Sequence, residues 1–230
     1  MIAIIPARGG SKRLPRKNLR PFCGRPILSY SIEAAHLSGL FEHVMVSTDD
    51  EEIAGLAREL GAEVPFMRSA EAADDFATTA DVLMEVVAAY RQRGVTPKLA
   101  CCIYPTAPFV TAKKLLAAHK RLEETGADSV LPVTRFSFPI WRSFRVDGDR
   151  VAYIWPEHAA KRSQDLPSAF HDAGQFYFFR VPVLEQTGQF ITGNTVGIET
   201  SELEVQDIDN AADWELAELK YRHLISRSES

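Results

Sequence analysis

The sequence predicts an α/β fold with a doubly wound, mostly parallel sheet, and three observations lead there. Short apolar runs rich in β-branched residues alternate with helical patterns through the first 135 residues. Each of the first runs ends in a polar or Gly- or Pro-marked loop, where such sheets bind ligands. A chain of 230 residues is also long enough to bury a large core without disulfide or metal staples.

The elements follow in order. Ile2 to Ile5 is too short and too branched for a helix and reads as the first strand. Pro26 to Leu37 reads as a helix, with Ile27, Leu28, Ile32 and Ala35 on one side and Gly39 as its stop. Val44 to Val46 is a second buried strand, and the polar stretch from Ser47 to Asp50 offers caps for a helix carrying Ile53, Leu56, Ala57 and Leu60. Ala80 to Tyr90 predicts a helix that buries Val82, Leu83, Val86, Val87 and Tyr90. A strand at Leu99 to Tyr104, a helix at Thr111 to Glu124 and a strand at Ser129 to Val133 complete the alternation.

It breaks after Thr134. Residues 136–172 carry Phe136, Phe138, Trp141, Phe144, Tyr153 and Trp155 together with an Asp147-Gly148 turn signal, which predicts a β-hairpin arm. Aromatics exposed on an arm call for a partner surface, a second copy of the chain, which makes a homodimer. The alternative is a hairpin folded back on its own core. A strand at Gln175 to Val181 and a helix at Trp214 to Leu224 follow. With no repeat and no linker rich in Gly, Ser or Pro, residues 1–230 are expected to form one domain with the arm inserted.

A net charge of −5 argues against a protein that coats nucleic acid. No apolar run approaches the roughly 18–20 residues that span a bilayer, so no membrane role is expected. Met1 to Pro6 lacks the basic start and apolar length of a signal peptide. Three cysteines, Cys23 and the adjacent Cys101 and Cys102, suit buried reduced thiols in a cytoplasmic protein.

Chemistry concentrates after the first strand. From Arg8 to Arg20 there are six basic residues and no acid, in a chain that is acidic overall. Gly9 and Gly10 let backbone N–H groups come close to a ligand, and Lys12 and Lys17 supply mobile charge, which together read as a polyphosphate cradle. The stretch fits neither the Walker A pattern nor the dinucleotide fingerprint. Its rival readings are a solvated charge run and a nucleic-acid patch. Transfer at a polyphosphate usually needs a divalent cation, and Mg²⁺ wants carboxylate oxygens. Asp207 and Asp209 are two positions apart, so in extended chain their side chains share one face while Ile208 turns inward. The competing reading makes them loop aspartates at the cap of the final helix.

Both motifs stand in one chain. Ile5-Pro6-Ala7-Arg8-Gly9-Gly10-Ser11-Lys12-Arg13-Leu14-Pro15-Arg16-Lys17-Asn18, Val46 to Asp49, Tyr104 to Pro108 and Gln206 to Asp209, in that order, resemble the acylneuraminate (CMP-sialic acid) cytidylyltransferase family. The resemblance covers essentially the whole chain. It implies a Rossmann-like nucleotidyltransferase fold, CTP as donor, Mg²⁺, an acidic nine-carbon sugar as acceptor and a homodimer whose arms help complete the neighbouring site. It implies nucleotide contacts at Arg8, Gly9, Gly10, Ser11, Lys17 and Asn18, charge stabilisation by Lys12, and cytosine reading by Arg68 with Ala77 and Thr79. It places Mg²⁺ on Asp207 and Asp209, with one of the two a candidate base for the acceptor hydroxyl. Acceptor contacts are implied at Tyr104, Arg142, Arg162, Gln164, His171 and Gln175, with a structural hydrogen bond as the competing role for His171.

Tyr104 stands where sialate-using members have glutamine, and Ala173 where they have asparagine. The stretches Arg162 to Pro167 and Phe170 to Tyr177 are similar to the pseudaminate branch of that family. Pseudaminate is therefore the expected acceptor, with sialate, legionaminate and Kdo as alternatives. A nucleotide binder without catalysis is the reading from another class, and retention of Lys12, Asp207 and Asp209 argues against it.

Overall fold

A computed structural model describes residues 1–74 and 76–228. Strand β1 (Ile2–Pro6) leads into the basic loop, which ends in the short pair β2 (Pro21–Phe22) and β3 (Arg25–Pro26). Helix α1 (Leu28–Ser38) stops at Gly39, as its sequence predicts. Strand β4 (His43–Ser47) delivers Asp50, whose carboxylate accepts the Glu52 and Ile53 N–H groups and so starts α2 (Glu51–Glu59). A short α3 (Ala70–Ala73) precedes α4 (Thr79–Gln92), where Thr78 and Asp81 form a reciprocal capping box. Next come β5 (Leu99–Ile103), α5 (Ala112–Thr125) and β6 (Ser129–Arg135).

Among the described residues the main sheet has seven strands. Its path runs β4, β1, β5, then β10 (Phe176–Arg180), β6 and β11 (Thr195–Glu199). β1 pairs in parallel with β4 and β5, and β11 pairs in parallel with β6; β10 is antiparallel to both its neighbours. Alternation along each central strand builds two cores. Ala3, Ile5, Cys101, Ile103, Phe176 and Phe178 face α1, α2 and α5. Ile2, Ile4, Ala100, Cys102, Tyr177 and Phe179 face α4 and α6 (Val181–Thr187). Both faces being buried is why these strands read as unbroken apolar runs. Cys101 and Cys102 are buried free thiols on opposite faces.

Within residues 136–172, where an arm is expected, the structure has a short hairpin. The hairpin comprises β7 (Phe144–Asp147) and β8 (Arg150–Tyr153), turning at Gly148 and Asp149, and all eight strand residues are exposed. Among the described residues it pairs with no strand of the main sheet. Trp141 packs against Trp155 and donates its indole N–H to the Pro167 carbonyl, at 2.8 Å, so these aromatics fasten the arm's base to itself. β9 (Phe170–Asp172) already returns to the main sheet beside β6.

Helix α7 (Ala211–Ser228) is longer than its predicted core and closes a third apolar cluster. Leu14 from the basic loop, Ile208 from the acidic segment and Trp214 from α7 are buried together there. Among the described residues no helix is long and apolar enough to cross a membrane.

Candidate active site

The basic loop is tied down from behind. Ala7 N–H donates to the Ser47 carbonyl at 2.9 Å and extends the β1–β4 pairing past Pro6. Gly9 N–H donates to Asp49 Oδ1 at 2.8 Å, and a Cβ on Gly9 would lie 2.8 Å from Asp50 Oδ2, so only glycine allows this approach. A Cβ on Gly10 would meet nothing. Arg16 adopts φ 56 and sends its guanidinium to Asp50 and Glu52, while Leu14 is buried beneath. Asn18, itself buried, donates from Nδ2 to the Arg8 carbonyl at 2.9 Å and leaves its Oδ1 without a partner.

These anchors set Arg8, Ser11, Lys12, Arg13, Lys17 and Asn18 along one wall of a cleft of about 690 Å³ at the carboxyl ends of β1, β4 and β5. Asp207 and Asp209 line it too, with Ile208 between them buried in the third cluster. Arg13 Nη2 lies 2.9 Å from Asp209 Oδ1. Lys17 Nζ donates to the Ile208 carbonyl at 2.6 Å and sits 3.9 Å from Asp209 Oδ1, joining the two motifs directly. Burial lowers the Lys17 pKa against the pull of Asp209 and Asp207; burial, and then Asp209, raise that of Asp207.

Neither carboxylate of the pair caps α7. Asn210 Oδ1 accepts the Asp213 N–H at 3.0 Å, and Asp213 Oδ2 accepts the N–H groups of Asp209 and Asn210. Among the described residues no group of three or more His, Cys, Asp or Glu side chains is placed to hold a metal. Two carboxylates beside a row of cationic side chains fit Mg²⁺, an ion that usually keeps several waters and takes only one or two carboxylates from the protein.

The opposite wall comes from Arg68, Ala77, Thr78, Thr79 and Tyr104. Arg68 is buried, with Nε donating to Ser47 Oγ at 3.0 Å and Nη2 to the Ser47 carbonyl at 2.5 Å, so it is no loose surface arginine. Burial lowers its pKa, and Asp49 opposes that. Tyr104 N–H donates to the Gln175 carbonyl at 2.8 Å, and its carbonyl accepts from Ser31 Oγ at 2.7 Å. Its hydroxyl lies 3.4 Å from Thr79 Oγ1.

Five expected acceptor contacts do not line this cleft within one chain. Arg142 donates to Ser163 Oγ at 2.7 Å, and Arg162 forks onto Asp165 at 2.7 and 3.0 Å, both in the turns that flank the hairpin. Gln164 is exposed in the same turn. His171 is exposed on β9, with Nδ1 2.9 Å from the Asp172 carbonyl and its ring centroid 4.7 Å from that of Phe136. Gln175 is buried behind Tyr104, with Nε2 donating to the Glu204 carbonyl. Sequence reasoning passed over Arg13, whose signal was its place in the basic run, and Asp49, which holds Gly9.

The cleft thus sets cations on one wall and paired carboxylates beside them at the carboxyl ends of parallel strands, where α/β sheets bind ligands. Residues 2–211 match the family model described as cytidylyltransferase. The chain is 39% identical over 223 residues to pseudaminic acid cytidylyltransferase of Campylobacter jejuni, covering 96% of each. It is 32% identical over 227 residues to CMP-N,N'-diacetyllegionaminic acid synthase of Legionella pneumophila, covering 95% of this chain and 94% of that protein. The fold is shared with a solved CMP:2-keto-3-deoxy-manno-octonic acid synthetase complexed with CTP, at a TM-score of 0.69 and 19% identity over 99% of this chain and 98% of that one. The chain belongs to the cytidylyltransferase family and is a nucleotidyltransferase of Rossmann-like α/β fold.

Proposed function

We propose that the chain transfers the cytidylyl group of CTP to pseudaminic acid, giving CMP-pseudaminate and diphosphate. The observation that carries this is the meeting of Lys12, Lys17, Asp207 and Asp209 in one cleft of a chain so similar to a pseudaminic acid cytidylyltransferase. The anomeric hydroxyl oxygen of the acceptor attacks the α-phosphorus, the bond to the β-phosphate oxygen breaks, and the hydroxyl proton leaves to a base. Such chemistry depends on positioning and charge neutralisation more than on a covalent nucleophile.

Arg8, Ser11, Lys17 and Asn18 bind and orient the triphosphate, and Lys12 follows the charge that develops on the departing diphosphate. Arg68, with the 77–79 turn, reads cytosine: an arginine and backbone groups meet its N4 donor and its O2 and N3 acceptors. Asp207 and Asp209 would hold Mg²⁺, which when bound supplies charge neutralisation at the phosphates. Asp209 is the candidate for receiving the acceptor's proton. Tyr104 forms part of the wall facing the acceptor. A second copy of the chain brings its arm to this cleft, and with it Arg142 and Arg162 toward the sugar carboxylate; the working protein is a cytoplasmic homodimer.

Diphosphate release from CTP, measured across pseudaminic, legionaminic and N-acetylneuraminic acids and Kdo, tests the reading. Pseudaminic acid is expected to be turned over with the highest efficiency. Equal efficiency with N-acetylneuraminic acid would overturn the acceptor assignment and leave the transfer chemistry standing.

A further inference from the structure

The carboxyl end of β4 carries a buried polar side chain that the helix after it does not use. The stretch from Ser47 to Asp50 reads in sequence as capping material, yet it is Asp50 that caps α2, and the Thr48 hydroxyl accepts the Asp50 N–H at 3.1 Å. Ser47 is fully buried and meets a guanidinium instead. Arg68 Nε donates to Ser47 Oγ at 3.0 Å, and Arg68 Nη2 donates to the Ser47 carbonyl at 2.5 Å. A hydroxyl shut away from water needs a partner inside the protein, and this one has a cation.

The contact does more than satisfy one serine. The Nε–H and one Nη2–H of an arginine lie side by side on one edge of a planar group. Ser47 therefore clasps the guanidinium at two points and fixes its plane as well as its position. Arg68 N–H donates to the Thr48 carbonyl at 2.8 Å, which pins the residue at its backbone too. The Ser47 carbonyl also accepts the Ala7 N–H at 2.9 Å, so one oxygen joins the guanidinium to the start of the basic loop. The edge between Nη1 and Nη2 takes no part in this clasp, and Arg68 lines the cleft.

We infer that Ser47 is the positioning residue that sets the guanidinium plane of Arg68, and that selection of cytosine over uracil depends on this clasp. The inference rests on the reading that Arg68 meets the base. Cytosine presents O2 and N3 side by side as two acceptors, which a planar fork meets with two parallel N–H bonds. Uracil carries a proton on N3, so the same fork sets two donors against each other and leaves a buried group unpaired. That difference is sharp only while the fork cannot swing aside. A guanidinium held by the carbonyl alone can rotate toward a uracil oxygen, and the distinction shrinks.

The experiment measures Kd for CTP and for UTP by calorimetry on the full-length protein with Mg²⁺ and no acceptor sugar. Ser47→Ala is expected to weaken CTP on the order of 10-fold and UTP by less, so that the preference for CTP narrows. Ser47→Cys nearly keeps the buried volume while exchanging the hydroxyl for a weak acceptor. The same narrowing is expected from it, which keeps the test open if the alanine variant does not fold. In an Arg68→Ala background neither substitution at Ser47 should change either Kd, since the group it positions is gone.

Ser47 variants that keep the wild-type preference, beside an Arg68→Ala protein that loses it, would overturn the clasp and spare Arg68 as the base reader. Weakening of CTP and UTP by one common factor in the Ser47 variants would make Ser47 a packing residue and overturn it too. An Arg68→Ala protein with an unchanged preference would remove Arg68 from base reading and the inference with it. Which acid serves as acceptor is untouched by any of these results, because no acceptor is present.

Discussion

Asp207 and Asp209 reach the cleft because Ile208 between them is anchored in the cluster with Leu14 and Trp214. Since Asn210 and Asp213 do the capping, the pair has no structural duty at the helix end. Asp207→Asn or Asp209→Asn is therefore expected to lower kcat on the order of 10²–10³-fold while CTP binding stays measurable. Near-normal turnover of both variants at saturating Mg²⁺ would end the metal reading. Lys12 lies beyond the glycine pair, where a mobile ammonium can follow a departing charge. Lys12→Ala should lower kcat more than it raises the KM for CTP, whereas Arg8→Ala should affect both. Steady-state kinetics with CTP as the varied substrate separates the two residues. A Lys12→Ala enzyme with intact kcat and raised KM would place Lys12 in ground-state binding.

Helix α4 carries Thr79 to the cleft rim, and its start depends on one acidic side chain. The hydroxyl and then the N–H of Thr78 donate to Asp81 and hold its pKa below the usual carboxylate value. Because the folded pKa is the lower one, this contribution to stability is complete above the unfolded value, about 4, and is lost as pH falls through the folded value. Unfolding midpoints of the wild-type chain and Asp81→Asn should differ at pH 7 and converge below about pH 4; a constant difference would show that the carboxylate charge is not involved. Elements of this kind were legible because their causes are local: Asp50 before α2, Gly39 after α1, apolar runs where both sheet faces are covered. The arm's extent was not. Its aromatics look alike in sequence, yet Trp141 and Trp155 pack on each other, while Phe170 to Asp172 pair with β6. Nor was the wall behind Tyr104 legible. Antiparallel pairing sets Tyr177 opposite Cys102, two residues short of Tyr104, and no spacing in the sequence announces that register.

At the scale of the molecule, an exposed hairpin with Phe144, Val146, Val151 and Tyr153 on its surface predicts assembly. The chain should sediment as a dimer at micromolar concentration, and removal of residues 144–153 should yield a folded monomer, or an aggregate, without activity. A fully active monomer would return the hairpin to a solvent-exposed ornament. The shared cluster makes a second test. Ile208→Ala should cost about 2–5 kcal/mol of stability and lower kcat as well, because the side chain removed holds both carboxylates in place. Stability lost with turnover intact would uncouple the core from the site. The ammonium of Lys17 meets the carbonyl of Ile208 across 191 residues of chain. During synthesis the basic loop therefore emerges long before Asp207 and Asp209, and the contact that joins the two motifs closes only when nearly the whole chain has been made.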